Sequence, residues 1–500
     1  MHEMTHRIRR QILDIELPRE AGAVALQRRV ARVFLERVLP ELERLFDRIA
    51  PADRFLQIRR LEIDLGQMSE TNWEQTFVER CREQVARKMG EIPFEPDKSG
   101  PPNAAAAAPE EHALSVLLHF LETGILPWYG REGTLAQLET QLGELAAPNP
   151  AFFRDPIPPA VWEYPDGTRG DGPARRAAGS ILDLLRQKDT ALQRLVWQFS
   201  PAFAALVVGS ALGFPAGWIE QAVEIYRSQT GSRWDASERL YFLRRLLAAA
   251  PAAWRALPPS PQLLAHLFFA QPPAAAGQAP DLPGQLPAPA DRPAHAKEAG
   301  QPPDPVPAQK ETPVQTAIES EPQMPPRPAD ERESIPVDSA GLVLLAPYLP
   351  PFFDALELLT QGKVFVAPEG QYRALYLLHF LATGRENPEE PALALPKILC
   401  GMDIETPVPA EIPLPETEKS ECVQLLEAVI RNWPVLKNTG PDGLRQAFLQ
   451  RAGLLRRTDS GMGWLLRPER LGQDILLEQL PWTYSVVRLP WMEKMLQVEW

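Results

Sequence analysis

Hydrophobic and polar positions alternate in two short stretches near the start of the chain. Leu13, Ile15 and Leu17 alternate with Asp14 and Glu16, and Leu61, Ile63 and Leu65 alternate with Glu62 and Asp64. A period of two predicts half-buried strands, one over 6–17 and one over 54–65. In the second, Leu56 and Ile58 have the opposite parity, which a bulge at Arg59-Arg60 returns to one face. Between the strands, Leu26, Val30, Val33, Phe34, Leu42, Leu45, Phe46 and Ile49 recur at threes and fours, the stripe of an amphipathic helix. Pro40 interrupts that stripe, so the pattern predicts two helices or a kink just before it. A further helix over 72–89 completes a strand-helix-strand head, residues 1–97.

Residues 98–110 (KSGPPNAAAAAPE) carry no periodicity and read as a linker. From 111 to 270 the period is helical again, with helices expected at 135–145, 181–199, 202–212, 218–228, 238–249 and 262–270, and an irregular insertion over 149–172. At 271–336 the pattern disappears. Sixteen prolines fall within 271–330, with many alanines and few large apolar side chains. Such a stretch buries too little surface to offset the entropy of ordering it, so it is expected to be a disordered, moderately stiff spacer. The last region, 337–500, predicts helices at 342–360, 372–382, 421–432 and 443–452. Strands then follow at 453–457, 463–467, 474–479 and 484–489. The fold class is α+β, predominantly helical, ending in a small antiparallel β part.

One motif occurs on both sides of the spacer. Leu117-Leu118-His119-Phe120-Leu121-Glu122-Thr123-Gly124 returns 260 positions later as Leu377-Leu378-His379-Phe380-Leu381-Ala382-Thr383-Gly384, identical at seven of eight positions. In each copy the leucines and the phenylalanine supply a wide apolar face, and Gly124 or Gly384 suits the left-handed residue that ends a helix. The second copy leads through a short acidic, proline-marked loop into Leu393–Gly401, where Pro396, Leu399 and Gly401 extend the apolar segment. Together these residues read as a repeated helix-and-glycine docking unit.

Composition narrows the class. A net charge of −13 disfavours a general nucleic-acid or anionic-membrane binder. Three scattered cysteines, Cys81, Cys400 and Cys422, give no disulfide framework and suit a reducing compartment. The N-terminus has no apolar signal-peptide core, and no apolar run is long enough to span a bilayer, which places assembly of the protein in the cytoplasm.

Candidate chemistry is sparse. The pairs Asp14/Glu16 and Glu62/Asp64 each share a strand face, as a cation site or an acid–base pair would. They lie opposite the apolar set, however, beside arginines, as a solvated face does. His119 and His379 have no second ligand at metal spacing, so neither predicts a zinc site. No phosphate-binding loop, dinucleotide fingerprint, nucleophile elbow or metalloprotease motif is present. The five tryptophans after residue 430 read as core or interface residues. No catalytic residue, cofactor or metal is expected.

Three stretches carry a family resemblance. HRIRRQILDIELPREAGAVALQRRVARVFLERVLPELERLFD with LQIRRLEIDLG resembles the N-terminal signature of the tape measure proteins of extracellular contractile injection systems, which are phage-tail-like particles. LLHFLETGILPWYG resembles that family's internal motif, and ALYLLHFLATG with LALPKILCGMDIETPV resembles its C-terminal hallmark. They occur in the family's order. The resemblance implies a non-enzymatic protein that sets the length of the inner tube during assembly. Its partners would be tube, baseplate or cap proteins, with cargo a further possibility, and it could leave the cell inside the finished particle. The alternative is a folded assembly or cargo-loading adaptor of the same particle.

Overall fold

The computed structural model describes residues 8, 11–15, 23–49, 55–58, 61–68, 72–90, 104–107, 109–127, 130, 133–154, 180–231, 233–249, 257–268, 334–361, 363–436, 439–458 and 463–500. Three separate hydrophobic clusters organise them: one in the head, one across 113–268 and one across 335–500.

In the head, α1 (Ala23–Val33) and α2 (Leu39–Ile49) are joined by a π-helical turn, Phe34–Val38. The break expected before Pro40 is therefore a wide turn in one continuous helical run. Proline lacks the N–H that an α-helix would give to the carbonyl four residues back, and a π turn relieves that mismatch without ending the helix. Val30, Val33, Phe34, Val38, Leu42 and Leu45 face α3 (Trp73–Gly90), which contributes Phe77, Cys81, Val85 and Met89.

Among the described residues of the head, the expected strands form only in part. Residues 11–15 and 61–68 form no strand, although Leu13, Leu61, Ile63 and Leu65 still pack on the head cluster. Among the described residues of the head the strand is β1 (Phe55–Ile58), within the stretch expected over 54–65; it pairs antiparallel with β2 (Ala104–Ala107), which falls inside the stretch expected to be a linker. A polyalanine segment offers no side-chain pattern from which such pairing can be read. The remaining residues of the proposed first strand, including Glu16 and Leu17, lie outside the described residues.

The second cluster is helical: α4 (Pro109–Thr123), α5 (Leu135–Ala146), α6 (Ile181–Gln187), α7 (Asp189–Gln198), α8 (Pro201–Leu212), α9 (Trp218–Thr230), α10 (Ala236–Ala249) and α11 (Pro261–Phe268). Local signals set most ends. Thr134 with Gln137, and Ser180 with Asp183, form capping boxes, while Ser200 caps α8 ahead of a first-turn proline. The single helix expected over 181–199 is divided at Lys188, whose backbone is extended. No proline or glycine marks this break; the Lys188 ammonium instead reaches Glu122 on α4 at 2.8 Å. Of the insertion expected at 149–172, residues 149–154 are described and form turns, and the rest lies outside the described residues.

In the last region, β3 (Ile335–Val337) begins within the stretch assigned to the spacer; residues 269–333 lie outside the described residues. The helix expected at 342–360 is a 3-10 segment, Ala340–Tyr348, followed by α12 (Leu349–Ala355). Pro347, Pro350 and Pro351 withhold the N–H groups that α-helical bonding would need. Next come α13 (Pro368–Thr383), α14 (Ala394–Leu399), α15 (Glu416–Asn432) and α16 (Pro441–Leu444), the last leading into a π turn, Arg445–Leu449.

The sheet uses β4 (Gly453–Arg457), β5 (Gly463–Pro468), β6 (Val486–Val487) and β7 (Met495–Val498), in the order β3-β4-β5-β7-β6. It is mixed rather than purely antiparallel, because β5 and β7 run parallel. Residues 474–479, expected as a strand, lie in a 3-10 helix, Gly472–Gln479. Asp474 caps that helix by accepting from the Leu471 N–H at 2.8 Å, a polar role that overrides the apolar alternation.

Candidate functional site: the two motif helices and their arginine clamps

Both copies of the repeated motif lie at the C-terminal ends of helices, α4 and α13, and repeat one local device. Gly124 and Gly384 are left-handed, at φ +78° and +69°, and each donates its N–H to the carbonyl of the motif phenylalanine at 2.8 Å. The threonine before each glycine donates its hydroxyl back to the motif histidine's carbonyl, at 2.7 Å for Thr123 and 2.8 Å for Thr383. The last carbonyls of a helix have no intrahelical partner, and here an arginine from a later helix supplies donors. Arg194 of α7 donates to Leu121 O at 2.8 Å and Glu122 O at 3.1 Å. Arg445 donates to Leu381 O at 3.1 Å and Phe380 O at 3.3 Å, with its guanidinium 5.5 Å from the Phe380 ring centre.

The apolar motif residues pack inside the chain. Leu117, Phe120, Leu121, Leu377, Leu378 and Leu381 are fully buried, while Leu118 and Phe380 are partly buried and border their clusters. Pro396 and Leu399 are buried as well. Gly401 is exposed and left-handed; a Cβ there would lie 2.7 Å from the Trp491 carbonyl. His119 and His379 are half-buried, and burial pushes both down to about 4. Glu122 opposes that fall at His119, whereas Arg385 adds to it at His379. Both imidazoles are therefore neutral at pH 7.

The copies differ in what covers them. Over the first lies the acidic loop that follows the second, Pro388-Glu389-Glu390-Pro391. Glu389 accepts the Leu135 N–H, at the start of α5, through both carboxylate oxygens at 3.0 Å. Glu390 is fully buried. Its Oε1 accepts from Arg194 Nε at 3.1 Å and Lys397 Nζ at 2.7 Å, whereas its Oε2 has no hydrogen-bond partner. Lys397 also donates to Ile404 O at 2.8 Å, and burial pulls its ammonium below the usual lysine range against the attraction of Glu390. Arg194 donates further to Glu405 O. Gln198 accepts the Glu390 N–H at 3.2 Å and donates to Val408 O at 2.8 Å. A buried Arg-Glu-Lys triad therefore joins the helical region to the C-terminal region at the end of the first motif helix.

Around the second copy, the carboxylate that Arg445 meets is Asp442 of α16, three residues earlier, at 2.8 Å, and Gly384 is exposed.

The motif is visible in the sequence, whereas its clamps are not. Arg194 and Arg445 are single cations inside apolar helical stretches, and Glu389-Glu390 is an acidic pair between prolines. Those local signals exist, but the pairing of 194 with 390 is not local. The carboxylates on the proposed head strands do not gather: Asp14, Glu62 and Asp64 are exposed, and Asp64 accepts the Gly66 N–H at 2.8 Å. Among the described residues no group of three or more His, Cys, Asp or Glu is placed to hold a metal ion, and no helix is long and apolar enough to cross a membrane. Trp482, Trp491 and Trp500 donate their indole N–H groups to Leu344 O, Leu399 O and Asp474.

What these regions present is a set of helical packing units, clamped at their ends and fastened to one another, the parts of a structural assembly protein. Compared with known families, residues 5–500 match contractile injection system tape measure protein. The chain belongs to that family, and so to proteins that associate with other components of a contractile particle. No curated protein and no solved structure matches it.

Proposed function

We propose that the chain sets the length of the inner tube of a contractile injection particle, and does so without catalysis. The observation that carries this reading is the family match, which runs across both motif regions and the proline-rich stretch between them. In this reading the regions around 111–268 and 337–500 are anchors toward opposite ends of the tube, meeting tube, baseplate or cap proteins. The spacer of 271–336 supplies adjustable reach. The neutral, half-buried histidines and the clamped helix ends suit a packing role, since the last carbonyls of both motif helices are already engaged by the chain.

A second reading has its own support. Three compact hydrophobic clusters and the intrachain Arg194–Glu390 bridge favour a folded adaptor that helps assembly or loads cargo and then leaves. Mass spectrometry of purified particles separates the two. The ruler is retained at a fixed copy number per particle. An adaptor is found in assembly lysates and missing from finished particles, which would overturn the length-setting reading.

A further inference from the structure

The contact between the two motif-bearing regions has an unusual composition. Their hydrophobic clusters are separate, and among the described residues Ile125 is the apolar side chain of the middle region that packs against the C-terminal cluster. The fastening is otherwise polar: Glu389 on the Leu135 N–H, Glu390 on Arg194, Arg194 on Glu405 O, and Gln198 on the backbone at Glu390 and Val408. Three of these five contacts enter through one short loop between two prolines, and the other two reach the carbonyls of Glu405 and Val408.

We infer that the Pro388–Pro391 loop is a releasable latch, and that its partner is the first motif of the same chain. Two physical arguments support release. Charges removed from water regain hydration when a polar interface opens, which offsets much of the lost attraction, whereas an apolar interface has no such return. Polar contacts between regions of one chain also leave relative motion as the default. The unpartnered Glu390 Oε2 fits this account, since a buried carboxylate oxygen without a donor favours the open state, where water can reach it. Gly124 fits as well. A Cβ there would lie 2.5 Å from Glu390 Oε1, so the loop seats against the motif only because that residue lacks a side chain.

The consequence rests on the length-setting reading. With the latch closed, Phe268 and Ser334 belong to one joined body, and the 65 residues between them add nothing to the reach of the chain. With the latch open, the same segment adds up to roughly 200 Å when extended. The latch then decides whether the spacer counts toward length.

The test uses the purified full chain with a protease site inserted near residue 300. After cleavage, the two halves are expected to co-elute in size exclusion as one species. Glu389→Ala, which leaves the buried triad intact, is expected to weaken their association at least tenfold. Glu389→Ala with Glu390→Gln is expected to separate them, with each half keeping its helical circular dichroism. Wild-type halves that separate at once would overturn the latch, as would variant halves that co-elute as tightly as wild type. Halves that unfold on separating would show one cooperative body instead of a releasable joint. Particles are not involved, so failure of the ruler reading leaves this result unchanged, and the reverse holds too.

Discussion

Alanine at the two motif glycines separates the cost of the shared helix end from the cost of the latch. Both residues are left-handed, and an L-residue held there costs about 1–2 kcal/mol. At Gly384 little else changes. The new Cβ would lie 3.3 Å from Arg445 Nη1, a contact that a shift of a few tenths of an ångström at the end of that side chain relieves. At Gly124 it would lie 2.5 Å from Glu390 Oε1 and 3.0 Å from two Arg194 nitrogens, all fully buried. Glu390 has to leave, and breaking a buried ion pair costs about 3–5 kcal/mol. Gly384→Ala is therefore expected to cost about 1–2 kcal/mol and Gly124→Ala about 4–7 kcal/mol. Urea unfolding followed by circular dichroism reads the difference. With slopes of about 1–3 kcal/mol per molar, the gap of about 3–5 kcal/mol corresponds to a midpoint lowered by at least about 1 M in the Gly124 variant relative to the Gly384 variant. Equal midpoints would refute the assignment of Glu390 to a strained seat against the first motif.

Other outcomes follow from the same geometry. His119 and His379 are held near 4 in the folded chain, against 6.5 for a free imidazole. The unfolded state therefore binds more protons between those values, so stability is full above pH 6.5 and falls as pH drops toward 4. The upper bound is about 1.4 kcal/mol per pH unit per histidine, reduced by the partial exposure of each ring. Melting temperatures at pH 7 and pH 5 should differ less in His119→Gln/His379→Gln than in wild type, and an unchanged difference would contradict the buried neutral state. Burial raises Cys81 to about 11 and Cys422 to about 12, and raises Cys400 further. Ellman's reagent at pH 8 should find fewer than one reactive thiol per native chain and all three after denaturation.

The local layer of this fold was legible in the chain. Periodicity placed the helices of the middle region to within a few residues, and the Thr-Gly ends of both motif helices were readable because left-handed caps select glycine. Tertiary contacts overrode local pattern elsewhere. Residues 11–15 and 61–65 alternate as strands do, yet they form no strand among the described residues; Leu13, Leu61, Ile63 and Leu65 pack on the head cluster, while Ile15 is exposed. Ile335–Val337 pairs with Leu455–Gly453, more than a hundred residues away, and no local signal names such a partner. The same holds for the candidate site. The motif was visible as a repeat, whereas its clamp depends on Arg194 meeting Glu390, 196 positions apart. A lone arginine in an apolar stripe and an acidic pair between prolines are each common, and only the fold brings them together.

The central claim, that the chain measures length, is tested most directly by tube length in particles assembled with graded deletions inside 271–336. Removing the whole stretch should shorten tubes by on the order of 100–200 Å, set by whether the segment is helical or extended. Smaller deletions should shorten them in proportion. Tubes of unchanged length across the series, measured by electron microscopy, would contradict the account.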